Sequence, residues 1–374
     1  MTDVFYFKME FKRSAIFITV IFFIFMQLFS QEVKNDSVIS HSLFTFPYTS
    51  YQPETSWMGG LTGAYYFKSH HLSRISSVTA SAEYTLRNQF SFNISPKIFL
   101  KNDKWLIYSN LNIRNYPDYY YGRGNKINDL KQTYTSKNVN VNVQPQFLIR
   151  KNLFIGGLIE YRNEKLSTDS SFDAKKDYIY SNFGPEGWTP FSQLTLGLLF
   201  SFDNRDNQFY PFKGFFVKSM FGFAGQKWGS TYSVKTFSMD IRQFIPVIHN
   251  STFAWQFYCK GVLSENNVPF QLLPSPGGID LLRGFQQGMF RDNCLMLLQT
   301  EYRLPVYKKF KAAVFCSAGD VFNSSNLQTD KLKIAYGAGL RYQLNDARVH
   351  LRLDIAKNNY GNKPQFYLTA SEAF

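Results

Sequence analysis

Cysteine is scarce in this chain of 374 residues: there are three, Cys259, Cys294 and Cys316, scattered and outside any CxxC pair. That excludes a disulfide-stapled scaffold and a zinc ribbon, both of which need clustered pairs. Acidic residues are few beside the basic ones, 27 Asp and Glu against 41 Lys and Arg, for a formal charge of +14. The Lys and Arg are spread along the chain without a single patch, so nucleic acid is not an expected partner. Catalytic signatures are missing as well. There is no HExxH and no GxSxG, and the five histidines (His41, His70, His71, His249 and His350) have no acidic cluster at ligand spacing. No enzyme activity, metal or cofactor is expected. After residue 29 no run approaches ~18 uninterrupted apolar residues, which excludes helical membrane spans there. Aromatics are abundant, with 39 Phe and 24 Tyr, so this is not a disordered chain, which would lack the apolar surface to offset chain entropy.

The N-terminus carries Lys8, Lys12 and Arg13, then the uncharged run Ala15 to Phe29 (AIFITVIFFIFMQLF), then Ser30 and polar sequence. The run is shorter than the ~20 residues a spanning helix needs. Residues 1–30 read as a secretory signal peptide, with an uncleaved anchor as the alternative because Leu28 stands at the −3 position. Either way the chain leaves the cytoplasm.

Beyond that, the pattern has period two. In NVNVNVQPQFLI (138–149) the residues Val139, Val141, Val143, Pro145, Phe147 and Ile149 fall on one face, and Asn138, Asn140, Asn142, Gln144 and Gln146 on the other. The same split puts Leu194, Leu196, Leu198, Phe200 and Phe202 opposite Gln193, Thr195, Gly197 and Ser201. It separates Ile334, Tyr336, Ala338, Leu340 and Tyr342 from Lys333, Gly337, Gly339, Arg341 and Gln343, and Val349, Leu351, Leu353 and Ile355 from Arg348, His350, Arg352 and Asp354. These are strands, and they run about twice the ~5–6 residues usual in a soluble sandwich. That length suits a tilted strand crossing a bilayer. The expected fold is therefore all-β, a transmembrane antiparallel β-barrel whose oily rows face lipid. Lys333, Arg341, Arg348 and Arg352 would line the lumen, with Asp354 available to pair. An open sheet edge in hydrocarbon would leave backbone groups unsatisfied, so closure is required.

Fifteen candidate strands are readable: 57–67, 75–87, 89–101, 104–115, 132–149, 152–163, 190–202, 213–224, 231–245, 251–264, 293–305, 309–319, 331–344, 347–357 and 364–374. Single-chain bacterial barrels have an even number. About sixteen are expected, with 42–51 and 170–182 the segments most open to a missed strand. Short connections (246–250, 306–308, 345–346) are assigned to the periplasmic side, and long ones (116–131, 164–189, 265–292, 320–330) to the outside. The domain reading is a signal peptide at 1–30, a short periplasmic stub at 31–56 and a barrel at 57–374. The final strand is read with Phe366, Leu368, Ala370 and Phe374 on one face, and the terminal aromatic resembles the C-terminal signal of outer-membrane barrels.

Residues 276–285, PGGIDLLRGF, lie in a long loop ahead of the strand LMLLQTEYRLPV (295–306), and FKAAVFCSAGDVF (310–322) follows. Here the chain resembles the membrane domain of the BamA/TamA outer-membrane assembly superfamily, also called the bacterial surface antigen family. The hallmark of that family is a (V/I/L)RG(F/Y) motif on the sixth extracellular loop, tucked back into the barrel. FSFDNRDNQFYPFKGFFV (200–217) is similar to the family's D-x-R-D…P-x-x-G turn. The resemblance extends over roughly 190–374, with echoes in PETSWMGG and YPDYYYGRGN. It implies that Leu282, Arg283, Gly284 and Phe285 form the luminal loop motif, and that Arg283 pairs with Glu301. In the family's inner-wall F-x-D-x-G pattern Phe315 and Gly319 match, whereas Ser317 stands at the Asp position. The family's periplasmic POTRA domains need ~50 residues each. Residues 31–56 hold none, so the resemblance is to a POTRA-less branch.

The functional expectation is an integral protein of a Gram-negative outer membrane that assists insertion or translocation of proteins or lipids through a weak seam between first and last strands. Alternatives from other classes are a pore for small anionic solutes and a structural barrel subunit of an envelope complex. Expected partners are outer-membrane lipid and lipopolysaccharide, whose phosphates suit the basic charge, and a periplasmic or envelope protein.

Overall fold

The computed structural model describes residues 42–52, 56–68, 74–125, 132–168, 187–264, 268–323, 332–345, 348–361, 363–369 and 372–374. The signal segment, His41, His70, His71 and the 170–182 segment lie outside them, as does the side chain of His249. Sixteen strands follow one another: β1 (Ser42–Gln52), β2 (Ser56–Phe67), β3 (Ser76–Thr85), β4 (Phe90–Leu100), β5 (Trp105–Tyr120), β6 (Gln132–Arg150), β7 (Leu153–Thr168) and β8 (Phe191–Asp203). The second half comprises β9 (Gly214–Ala224), β10 (Val234–Pro246), β11 (Thr252–Leu263), β12 (Cys294–Tyr307), β13 (Phe310–Phe322), β14 (Lys333–Gln343), β15 (His350–Asn358) and β16 (Gln365–Thr369). Each strand pairs antiparallel with its sequence neighbours, so the sheet order is the chain order. β1 and β16 approach one another at the seam, and among the described residues no backbone ladder joins them.

The strand that the fifteen left out is β1, at one of the two segments flagged, so the sheet begins at Ser42 and not at residue 57. The described part of β16 is Gln365–Thr369, and residues 372–374 of the expected 364–374 strand are not in it. Among the described residues β12 has 14 against five in β16.

Alternation has the inverted sense. Leu198 is 69% exposed and Phe366 62%, while Arg283, Arg341 and Arg352 are fully buried. No soluble fold hides guanidiniums and displays leucines in this way; hydrocarbon outside and a polar interior account for both. Outward aromatics collect at strand ends. Trp105 meets Phe147 edge-on (5.1 Å) and Phe310 lies tilted against Tyr342 (4.9 Å) at the periplasmic ends, while Tyr84, Tyr161 and Phe223 sit toward the outer rim. These are the two interfacial girdles of a spanning barrel, where amphipathic rings prefer the headgroup level. The three cysteines are free, and Cys294 and Cys316 alternate with the inward residues of their strands and so face outward.

The connection between β11 and β12 is the sixth outer loop, and it folds into the lumen. Its Leu282, Phe285 and Phe290 form a buried cluster with Leu295, Leu297, Val321 and Ala335 of the inner wall. A second buried cluster lies toward the outer rim, where Phe270 and Leu273 of the same loop pack on Tyr120, Tyr134 and Leu166.

Leu198→Arg, at the middle of β8 and pointing into lipid, is expected to cost ~2–4 kcal/mol. Asn112→Lys, on an inward face, is expected to change stability by less than ~0.5 kcal/mol. Urea titration of refolding into lipid vesicles, read by tryptophan emission, checks both. Equal costs would contradict the inverted assignment.

Candidate functional site

The loop motif is built around two left-handed residues. Leu282 (φ 55°) and Gly284 (φ 113°) flank Arg283, turning the chain sharply so that one side chain is thrust toward the wall. Glycine suits position 284 for a second reason: a Cβ there would sit 3.0 Å from the Lys357 carbonyl oxygen. Hydrogen bonds from three strands fix the turn. The Leu282 amide donates to Gln299 Oε1 (2.8 Å) and the Gly284 amide to Tyr367 Oη (2.8 Å), while Asn358 Nδ2 donates to the Gly284 carbonyl. Gln299 Nε2 returns a bond to the Asp280 carbonyl (2.9 Å).

Arg283 then bridges two carboxylates. Its Nη2 lies 2.8 Å from Glu301 Oε2 on β12, and its Nη1 lies 2.6 Å from Asp354 Oδ2 on β15. The guanidinium stacks on Phe315 of β13 at 3.6 Å from the ring centroid. Asp354 thus fills the role left open by Ser317, which is buried on the inner wall with its Oγ unbonded among the described residues. Reaching β15 requires crossing β14, and the residue in the way is Gly339: a Cβ there would stand 1.9 Å from Asp354 Oδ1. Gly319 lies on the same inner wall, packed against Leu297.

The pair belongs to a network. Arg341 contacts Asp354 (2.5 Å), Glu301 (3.4 Å) and Glu372 (2.9 Å). Arg303 contacts Glu301 (2.8 Å), and Arg352 contacts Asp354 (3.5 Å) and donates to the Ile279 carbonyl (2.7 Å). Arg352 also lies 3.8 Å from the more exposed Asp280 of the loop, so four guanidiniums share three buried carboxylates and one at the edge. Desolvation makes each of these charges costly alone, and only mutual compensation keeps them inside. Lys333 is paired separately, with Asp320.

At the periplasmic end the β8–β9 turn, residues 204–213, is much longer than its neighbours. It is preorganised by side chains: Asn207 Oδ1 accepts from the Phe209 and Tyr210 amides (2.8 Å each), and Asp206 Oδ1 from Phe212 and Lys213 (2.8 and 3.0 Å). The turn crosses the mouth of the lumen. Phe209 meets Tyr66 of β2 (5.2 Å), Gln208 accepts from Lys97 of β4 (2.8 Å), and Tyr210 stacks on His350 of β15 (4.1 Å) with Arg303 above its ring.

Two sequence expectations are corrected here. Arg348 is not on a luminal strand face. It sits in the β14–β15 turn (φ 64°), pairs with Asp206 at 2.7 Å, and its side chain is 42% exposed. Phe374 does not extend the lipid-facing row of Phe366 and Leu368. Beyond the end of β16 the chain turns inward, and the Phe374 ring is buried against Phe244 and Ala254 while Arg303 Nη2 donates to its main-chain oxygen (2.8 Å). An arginine and an apolar pocket at the mouth hold it there. Leu282, Arg283, Gly284, Phe285, Glu301 and Phe315 converge as one site, to which Arg341, Arg352 and Asp354 belong. Arg303, Glu372, Gln299, Asn358 and Tyr367 also belong to it and were not singled out. Arg303 had one available signal, since it shares a face with Glu301 two residues away.

The chain was compared with known proteins. A family model described as the Omp85 superfamily domain matches residues 74–374. No curated protein sequence matches. Among solved structures, BamA from Haemophilus ducreyi lacking POTRA domains 1–3 superposes with a TM-score of 0.57 at 15% identity, over 90% of this chain and 69% of that one. CdiB from Acinetobacter baumannii (TM-score 0.56, 11% identity, 90% and 58% covered) and CdiB from Escherichia coli (0.54, 11%, 91% and 62%) are also similar. At such identities the likeness carries the fold, and this chain spans under two thirds of the two CdiB chains.

Glu301→Gln is expected to cost ~3–5 kcal/mol by leaving buried guanidiniums without compensation. The same urea titration measures it, and a loss below ~1 kcal/mol would show that the network is not dry. Asp206 responds to pH. Burial alone raises its pKa, but the Lys213 amide, Arg348 and the Phe212 amide outweigh that and hold it below the usual carboxylate value. A depressed folded pKa contributes stability above the unfolded value, ~3.9, that is lost as pH falls through the folded one. Because the pair is partly exposed, Asp206→Asn is expected to cost under ~1 kcal/mol at pH 7 and nothing at pH 2. Equal cost at both pH values would contradict this.

Proposed function

This chain belongs to the Omp85 superfamily, and on that premise we propose that it assists insertion or translocation of polypeptide or lipid at the outer membrane. The family places it as an integral β-barrel of the Gram-negative outer membrane, in the company of assembly and transport barrels. The observation that carries the finer reading is the seam. Among the described residues every other neighbouring pair of strands is zipped by a ladder, β1 and β16 are not, and β16 is the shortest strand.

Backbone groups left unpaired in hydrocarbon cost several kcal/mol each, so a seam without a ladder is the place where a strand-forming chain gains most by adding itself. The Arg283 site supports the same reading from inside. It ties the sixth outer loop to β12 and β15 and, through Tyr367, to β16, so the wall is stiff on one side of the seam. An anion pore is favoured less, because the sixth outer loop enters the lumen from outside and the 204–213 turn with Phe374 enters it from the periplasm. Lipopolysaccharide and an envelope protein are the partners this reading calls for.

Cysteine pairs placed across β1 and β16, with Cys259, Cys294 and Cys316 replaced by Ala, test the seam. In a strain depending on this chain, oxidation is expected to abolish its contribution to the outer-membrane protein profile, and reduction to restore it. Full activity of the oxidised barrel would contradict the proposal.

A further inference from the structure

The lumen is divided unequally. The sixth outer loop is anchored to the β12–β16 wall through Arg283 and touches β5 to β7 only near the outer rim, and between its underside, β4 to β7 and β11 a cavity of about 440 Å³ remains. This is the size of a small-molecule site, but its walls are polar where such sites are ordinarily apolar. Register explains the lining. Asn93 of β4 stands opposite Asn112 of β5, Asn112 opposite Asn140 of β6, and Asn140 opposite Arg162 of β7, so three amides and a guanidinium form one rung across four strands. Strand spacing sets them about 4.8 Å apart.

Four groups around the cavity have no hydrogen-bond or ion-pair partner among the described residues: the Asn112 amide and Arg114 guanidinium of β5, and the Tyr258 hydroxyl and Lys260 ammonium of β11. All four line the cavity. Of the other charges there, Arg162 is paired with Glu164 (2.6 Å), Arg291 donates to the Gly288 and Phe270 carbonyls, and Asp118 accepts from the Tyr134 hydroxyl (3.4 Å). The surplus is thus two cations, Arg114 and Lys260, beside a row of amides and a phenol.

We propose that this cavity is a binding site for an acidic saccharide, the amide rung taking its hydroxyls and Arg114 and Lys260 its carboxylate or phosphate. Asn112 offers both a donor and an acceptor; Asn93, whose oxygen accepts from Ser95 and Asn110, offers its NH2, and Asn140, whose NH2 donates to Glu160, offers its oxygen, a mix that matches hydroxyls that are themselves donors and acceptors. A small inorganic anion would satisfy the two cations and leave the rung unused. The proposal is independent of the seam and would stand if the seam proved inert. The same chemistry comes from a free acidic oligosaccharide or from the sugar headgroup of an outer-leaflet glycolipid.

Isothermal titration calorimetry on the full chain, in a detergent without a sugar headgroup, decides the matter. Tetragalacturonate is expected to bind saturably, at least tenfold tighter than neutral maltotetraose or inorganic phosphate. Arg114→Gln with Lys260→Gln is expected to weaken it at least tenfold, as loss of charge-assisted hydrogen bonds should. Lys260→Gln alone provides a second variant, and unchanged heat-modifiable gel mobility shows that each is folded. Lipopolysaccharide added to the cell distinguishes the sources, since competition identifies a headgroup and its absence a soluble ligand. No saturable heat, or equal binding of maltotetraose or phosphate, overturns the proposal.

Discussion

Inside this barrel four guanidiniums, Arg283, Arg303, Arg341 and Arg352, are compensated by three carboxylates, Glu301, Asp354 and Glu372. None of these charges is tolerable alone away from water, so each fixes the position of the element that carries it. One belongs to the sixth outer loop, five to β12, β14 and β15, and one to the segment beyond β16. The network thereby closes a circuit through elements that the sheet alone leaves independent, and the luminal loop cannot withdraw without stranding Glu301 and Asp354.

The bilayer makes such an interior necessary. With Leu, Ile and Phe largely committed to the lipid face, apolar packing inside is limited to the loop plug, to the outer-rim cluster around Tyr120, Tyr134 and Phe270, and to small clusters such as Phe244, Ala254, Ala373 and Phe374. The remaining cohesion is electrostatic and hydrogen-bonded. The cost of breaking it falls on one side of the lumen, under β12 to β16, whereas the wall from β4 to β7 keeps open space and unpartnered polar groups. One barrel thus has a sealed half and a wet half.

The architecture was legible because period two is a property of neighbouring residues. β6, β8, β14 and β15 could be read without knowing what they touch. β1 was harder to read because its outward positions include Thr45, Pro47 and Thr49, so the oily row is thin. The site was legible in part. Arg283 and Glu301 come from motif and alternation, but the choice of Asp354 over position 317 depends on the register of β13, β14 and β15 and on the missing side chain of Gly339. Phe374 and Arg348 were misplaced because alternation says nothing of where a strand stops. The chain left the β pattern where an arginine and a pocket on distant strands offered more than one further rung at the seam.

The central claim is that Arg283 and Asp354 hold the luminal loop to the wall as a coupled buried pair. A double-mutant cycle of Arg283→Gln and Asp354→Asn, measured as unfolding free energy in vesicles, tests it most directly. The account predicts a coupling of about 1–3 kcal/mol, so that the double variant is much less damaged than the sum of the singles. Additivity within ~0.5 kcal/mol would contradict it.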